Sequence, residues 1–137
     1  MWEAELYMTE PGYRSTFKSS GGFTRILRAA RYSCQGLKAA FKYEAAFRQE
    51  LLLAAVLAPL AFWLGDTALQ IAGLLALLVF VLVVELLNSA IEALADAITT
   101  DPHPLLGRAK DLGSAAVLLS MMGTALVWGA AAVARLL

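Results

Sequence analysis

The stretch IAGLLALLVFVLVVELLNSAIEALAD, residues 71–96, decides the fold. Residues 71–84 carry no charge, Glu85 ends the apolar run, and Asn88, Glu92 and Asp96 follow. At 3.6 residues per turn, Glu92 and Asp96 each project within about 20° of Glu85, and Asn88 lies about 60° away from it. One helix therefore carries both a membrane-length apolar surface and a polar stripe. Ionisable side chains near hydrocarbon cost roughly 2.5 to 3.5 kcal/mol each on insertion scales, so the stripe has to face protein, water or a bound ion. A plainer reading, in which the helix end leaves the membrane and Glu92 and Asp96 are solvated, accounts for the distal acids and leaves Glu85 and Asn88 unexplained.

The rest of the chain agrees with a membrane setting. Apolar residues make up 60% of the 137 residues and charged ones 16%, which lies outside the range of soluble domains. The lone Cys34 excludes an intrachain disulfide and argues against a catalytic cysteine. Residues 1–22 mix acids with Gly, Ser and Pro and lack an apolar signal core, so they read as a mobile tail and not as a cleavable leader. From Phe23 to Lys42 the apolar positions (Phe23, Ile26, Leu27, Ala30, Cys34, Leu37, Phe41) alternate at helical spacing with Arg25, Arg28, Arg31, Lys38 and Lys42. That pattern predicts an amphipathic helix in the headgroup plane; a plain surface anchor would have the same spacing.

Three spans are expected within a single membrane domain over 23–137. The apolar stretch 51–65 is too short to cross alone, so the first span is placed at 45–64, with Arg48, Gln49 and Glu50 in its first turns and Glu44 just before them. Gly65 and Asp66 make a turn, Asp66 or Thr67 caps the second span at 68–99, and 99–104, with Pro102 and Pro104, break it. The third span is expected over 107–137, with Gly113, Ser114, Ala115, Ser120, Gly123 and Gly129 as a small-residue surface that allows close helix approach and self-association. All of the eleven Lys and Arg residues except Arg135 fall before or at the start of span one, or around the loop after span two. The positive-inside rule then puts the amino terminus and the polar stripe on the cytoplasmic face.

At that face the sequence brings Glu44 and Glu50, then Glu85, Asn88 and Glu92, then Arg108, Lys110, Asp111 and Ser114 to a common depth. Carboxylates beside cations at an interface suit a hard divalent ion bridging a polyphosphate. No GxxxxGK[ST] or GxGxxG loop is present, so local motifs alone do not establish nucleotide binding. An ion-coupled transporter with a buried Glu uses the same acids, but the polar groups crowd one interface and no inverted repeat is evident. A pure scaffold is the third class, and nothing in the chain points to a nucleic-acid partner.

GFTRILRAARYSCQGLKAAFKYEAAFRQE, VELLNSAIEALAD and GRAKDLGSAAVLL, in that order, resemble the prokaryotic diacylglycerol kinase family of small trimeric membrane enzymes. The similarity runs from about Gly22 to Leu137. It implies an all-α homotrimer in the bacterial inner membrane, with a surface helix and three spans per chain. The implied reaction is transfer of the ATP γ-phosphoryl group to 1,2-diacyl-sn-glycerol, with Mg²⁺. The resemblance assigns Glu85 as general base, Glu44 and Glu92 as metal-binding acids that also touch nucleotide, and Asn88 as a further polar residue of the site. Lys110 and Asp111 match nucleotide contacts, as do Arg25 and Tyr32 on the surface helix and Asp101 and His103 in the loop. For the lipid, the run Ala46, Phe47, Arg48, Gln49 and Glu50 matches substrate positions. Arg25, Trp63, Glu85, Ser114 and Trp128 match others. Without the resemblance, His103 reads as a solvated loop residue and both tryptophans as interfacial belt. Cys34 stands where many members carry tryptophan, and Pro102 and Pro104 replace tyrosine and glutamate. A related branch phosphorylates undecaprenol and tends to show NTAIE and AKDxAAGAV; NSAIE and AKDLGSAAV here favour diacylglycerol.

Overall fold

The computed structural model describes residues 22–137, which form four α-helices and, among those residues, no strand. They are α1 (Gly22–Tyr43), α2 (Ala45–Leu64), α3 (Ala68–Ile98) and α4 (Pro104–Leu136). Except for Gly22, which opens α1, the tail expected over 1–22 lies outside the described residues. The chain divides into two compact units after Leu37, within α1. In the first, the described residues are helical and exposed, Ser33 Oγ donates to the Ala29 carbonyl at 3.0 Å, and Cys34 is a free exposed thiol. The second, Lys38–Leu137, holds the end of α1 and all of α2 to α4.

Each of α2, α3 and α4 is long and apolar enough to cross a bilayer, which makes this a multi-pass membrane protein. The 20 residues of α2 rise roughly 30 Å, about one hydrocarbon thickness, whereas the 31 of α3 and 33 of α4 rise well beyond it. The third span begins at Pro104, earlier than the expected 107. Proline is a helix breaker only in the interior; at the first position its missing N–H is not needed and its fixed φ suits the helix. Likewise α3 ends at Ile98, with Thr99 as its extended C-cap.

Between α2 and α3, Thr67 is the N-cap of a full capping box. Gln70 N donates to Thr67 Oγ1 at 3.2 Å, and Thr67 N donates to Gln70 Oε1 at 3.1 Å. A second donation to Gln70 Oε1, from Asp66 N at 2.7 Å, draws the turn tight. Gly65 is needed there for space: a Cβ at this position would lie 2.6 Å from Ile71 Cγ1.

The inward faces follow a 3-4 spacing. On α2 they are Phe47, Glu50, Ala61 and Leu64; on α3 they are Leu74, Leu78, Val81, Glu85, Asn88 and Ala95. Such a repeat keeps one seam against a neighbouring helix. Ala61, Leu64, Leu74, Leu78 and Trp128 form the apolar centre. There Trp128 Nε1 donates to the Leu74 carbonyl at 3.3 Å, and Thr124 Oγ1 donates to the Leu77 carbonyl at 3.5 Å. Beyond that centre, Arg135 Nη1 reaches Asp66 Oδ1 at 2.8 Å and lies 5.8 Å from the Trp63 ring centroid. The outer faces are apolar and exposed, as at Leu52, Val56, Phe62, Phe80, Leu119 and Leu126.

Because Trp128 both fills the centre and holds α4 to α3, Trp128→Ala should lower unfolding stability in detergent by about 3 kcal/mol or more. Trp128→Phe, which loses mainly the N–H bond, should cost about 1 kcal/mol. Thermal unfolding of the two variants checks the order.

Candidate functional site

The inward seam of α3 turns from apolar to polar at Glu85, which is 4% exposed, with Asn88 at 9%. From α2, Glu50 enters the same region at 8% exposure. Glu85 is near enough to Glu44, Glu50 and Glu92 for their charges to act on it, so acids of two helices and the α1–α2 junction share one region. The convergence starts with a local feature. Glu44 is the extended N-cap of α2, and Arg48 Nη1 turns back to donate to the Phe41 and Lys42 carbonyls at 3.1 and 3.2 Å. Those bonds satisfy the last carbonyls of α1 and fix the corner that presents Glu44.

Two turns past Glu85, the half-buried Glu92 accepts a hydrogen bond from Asn88 Nδ2 at 3.0 Å. Three buried oxygens nearby have no hydrogen-bond partner: Glu50 Oε2, Asn88 Oδ1 and Ser89 Oγ. The donor set is made of hard oxygens, the chemistry that binds Mg²⁺ or Ca²⁺ and not soft metals. Among the described residues no three acidic, His or Cys side chains are gathered as a ready metal cage. A cation here would therefore rest on one or two carboxylates and take its remaining ligands from a bound substrate or water, as Mg²⁺ commonly does.

Further along, Lys110 Nζ of α4 meets Asp96 Oδ1 of α3 at 3.0 Å. Asp96, Asp101, His103 and Lys110 line an open cleft of about 460 Å³ where α3 passes into α4. His103 is the N-cap of α4, and its side chain makes no capping bond. The cleft sets Lys110 and His103 near a helix start together with Asp96 and Asp101, so its cation is already matched by a carboxylate.

The expected residues divide accordingly. Glu44, Glu50, Glu85, Asn88 and Glu92 are brought together, and Asp101, His103 and Lys110 share the cleft. Phe47 is buried, while Ala46 and Gln49 are exposed on α2 and Asp111 and Ser114 on α4. Trp63 is at the far end of α2 from Glu44, about 30 Å along the helix, with Arg135 as its neighbour. Trp128 faces the protein interior, where it and Glu50 line one apolar cavity of about 250 Å³. Arg25 and Tyr32 are exposed on the first unit. Sequence reasoning missed the Asp96–Lys110 pair, which no local spacing reveals, and the Asn88–Glu92 bond, whose i, i+4 spacing was a usable signal.

Residues 31–132 match the family described as prokaryotic diacylglycerol kinase. A Haemophilus influenzae diacylglycerol kinase is 47% identical over 108 residues, covering 79% of this chain and 92% of its own. The protein of that name from Escherichia coli K12 is 48% identical over 107 residues, 78% of this chain and 88% of its own. The one from Pseudomonas aeruginosa is 46% identical over 114 residues, 83% and 93% of the two chains.

The side chains of Lys110 and Asp96 are 40% and 63% exposed, so water screens their attraction strongly. A double-mutant cycle on Lys110→Met and Asp96→Asn should return a coupling below about 1 kcal/mol in unfolding stability. Lys110 can then leave Asp96 for a more highly charged anion at little cost.

Proposed function

This chain belongs to the prokaryotic diacylglycerol kinase family and acts as a kinase on diacylglycerol, and we propose that its donor is ATP and its product phosphatidate. Family membership selects the kinase over the transporter and scaffold classes, and the names of the relatives favour diacylglycerol over undecaprenol as the acceptor. The observation that supports the site assignment is the burial of Glu50, Glu85 and Asn88 on the inward faces of α2 and α3, with Glu92 hydrogen-bonded to Asn88.

In this reading the free hydroxyl of diacylglycerol lies beside Glu85, which accepts its proton as the oxygen attacks the γ-phosphorus. The new O–P bond forms as the bond from the γ-phosphorus to the β,γ-bridging oxygen breaks, and ADP leaves with that oxygen. Protein kinases and NTPases carry out such transfers mainly by positioning and by stabilising charge. The apolar cavity below Glu50, lined by Leu53, Leu57, Leu78 and Trp128, suits hydrocarbon and supports a lipid lying with its hydroxyl at the carboxylates.

Glu44 and Glu92 would hold Mg²⁺; when bound, the ion supplies neutralisation of the β- and γ-phosphate oxygens. The rise of seven residues from Glu85 to Glu92 is about 10 Å, which separates proton acceptance from metal binding within one site. Lys110 and Asp111, with Asp101 and His103, bind the nucleotide. The cleft at the start of α4, next to the turn that carries Glu92, supports this. Arg25 and Tyr32 add contacts from a surface helix at the headgroup level. Ser114, Trp63 and the run from Ala46 to Glu50 meet the lipid. The enzyme is a homotrimer of the bacterial inner membrane with its sites at subunit boundaries and its amino terminus in the cytoplasm. The cation asymmetry of the sequence supports that orientation.

Purified protein in mixed micelles with γ-labelled ATP and Mg²⁺ should label diacylglycerol and leave undecaprenol unlabelled; the reverse result would move the chain to the undecaprenol branch. Glu85→Gln should abolish turnover with ATP binding nearly unchanged, whereas Glu92→Gln should weaken binding of the metal–nucleotide as well. Full turnover in Glu85→Gln removes the base assignment.

A further inference from the structure

Asn88 is a buried amide whose two ends meet different helices. Its Nδ2 donates to Glu92 Oε1 one turn along α3, while its Oδ1 is buried without a hydrogen-bond partner. The orientation of the amide is fixed by chemistry, because an ionised carboxylate only accepts and so must face the NH₂ group. Oδ1 is left turned toward α4, where it lies against Gly113. A Cβ built on Gly113 would overlap Asn88 Oδ1 and come within 3.4 Å of Asn88 Cγ. Gly113 is itself buried and lies within a helix, so its glycine is needed for close approach and not for unusual backbone.

We propose that Gly113 is a positioning residue for the metal-binding carboxylate. By giving the Asn88 carboxamide a seat on α4, it holds Nδ2 on Glu92 and so sets the direction in which Glu92 offers its free oxygen. The Asn88 carboxamide is thus held from two sides, through Nδ2 by Glu92 on α3 and at Oδ1 against Gly113 on α4. Gly123 and Gly129 of the same helix have open space where a Cβ would be, which singles out Gly113. Partners of a metal ligand fix its orientation, and losing one commonly lowers metal affinity by about 10- to 100-fold. The inference rests on Glu92 being a metal ligand, as proposed above.

The test uses Mn²⁺ as an EPR-visible probe, titrated into the full-length protein with a non-hydrolysable ATP analogue. Gly113→Ala should weaken Mn²⁺ binding about tenfold or more, and Asn88→Ala should do the same. In the double variant Asn88→Ala/Gly113→Ala the small side chain at 88 leaves room for the methyl group. Its Mn²⁺ affinity should equal that of Asn88→Ala alone. A merely structural glycine would lower the thermal midpoint and leave Mn²⁺ affinity where it was, and that result overturns the proposal. Should Gly113→Ala fail to fold, the double variant still decides: it should fold and bind Mn²⁺ like Asn88→Ala, and its failure to fold would show that Gly113 serves something besides Asn88. Glu92→Gln is the control that separates the two readings. Unchanged Mn²⁺ binding in it sinks the metal assignment, whereas weakened binding there with an unaffected Gly113→Ala sinks only the role of the glycine.

Discussion

A carboxylate in the apolar part of a helix has to be turned toward protein, and the arrangement of α2, α3 and α4 follows from that requirement at Glu85. The residue sits on the same 3-4 seam as Leu74, Leu78 and Val81, so the register that packs the apolar half of α3 against its neighbours also carries Glu85 and Asn88 inward. No separate device is needed to bury the polar groups. Glu50 occupies the matching position on α2, one step along the seam that includes Phe47, Ala61 and Leu64. Packing and site are therefore two ends of one interface, and shifting its register would expose Glu85 and lose the Leu74–Leu78 centre together.

The two ends are held in different ways. At the Trp128 end, bulky side chains and hydrogen bonds to α3 carbonyls lock α4 in place. At the acidic end polar groups are set among apolar ones, with Phe47 buried beside Glu50 on α2 and Asn88 and Gly113 in close contact between α3 and α4. The packed Trp128 half of the bundle thus fixes the helix register on which the polar side chains of the other half are displayed. Functional groups supported by packed elements in this way keep their positions through a reaction cycle.

Much of this was legible in the sequence. Apolar runs separated by Gly65–Asp66 and by residues 99–104 read directly as three spans, since in a bilayer only helices satisfy their own backbone. The stripe of Glu85, Asn88 and Glu92 was visible from helical spacing, although Asp96 proved to be an exposed partner of Lys110. The start of α4 comes earlier than helix breaking alone predicts, because Pro104 is a first-turn residue, where proline is accepted. What the sequence could not reveal were the relations between helices. Trp128 reads equally well as a lipid-facing belt residue or as the core residue it is, because both settings favour an aromatic ring with one polar atom. The small residues of α4 form a single class in the sequence, yet only some meet another helix: Gly113 and Ser120 are buried, while Gly123 has open space around it.

The exposed apolar faces of α2 to α4 do not by themselves call for further subunits, since lipid covers such surfaces as well as protein does. The chemistry of the site bears on assembly more directly. Phosphoryl transfer needs a metal-bound triphosphate, an acceptor hydroxyl and a proton acceptor within one small volume. The acids of a single chain have cations at two helix starts: Arg48 of α2, bonded to the Phe41 and Lys42 carbonyls beside Glu44, and Lys110 of α4, paired with Asp96 one turn beyond Glu92. Arg108 is a further exposed cation at the start of α4. Charge able to meet a polyphosphate is thus carried at two helix starts of one chain, so charge balance, like the apolar outer faces, does not by itself call for a second copy.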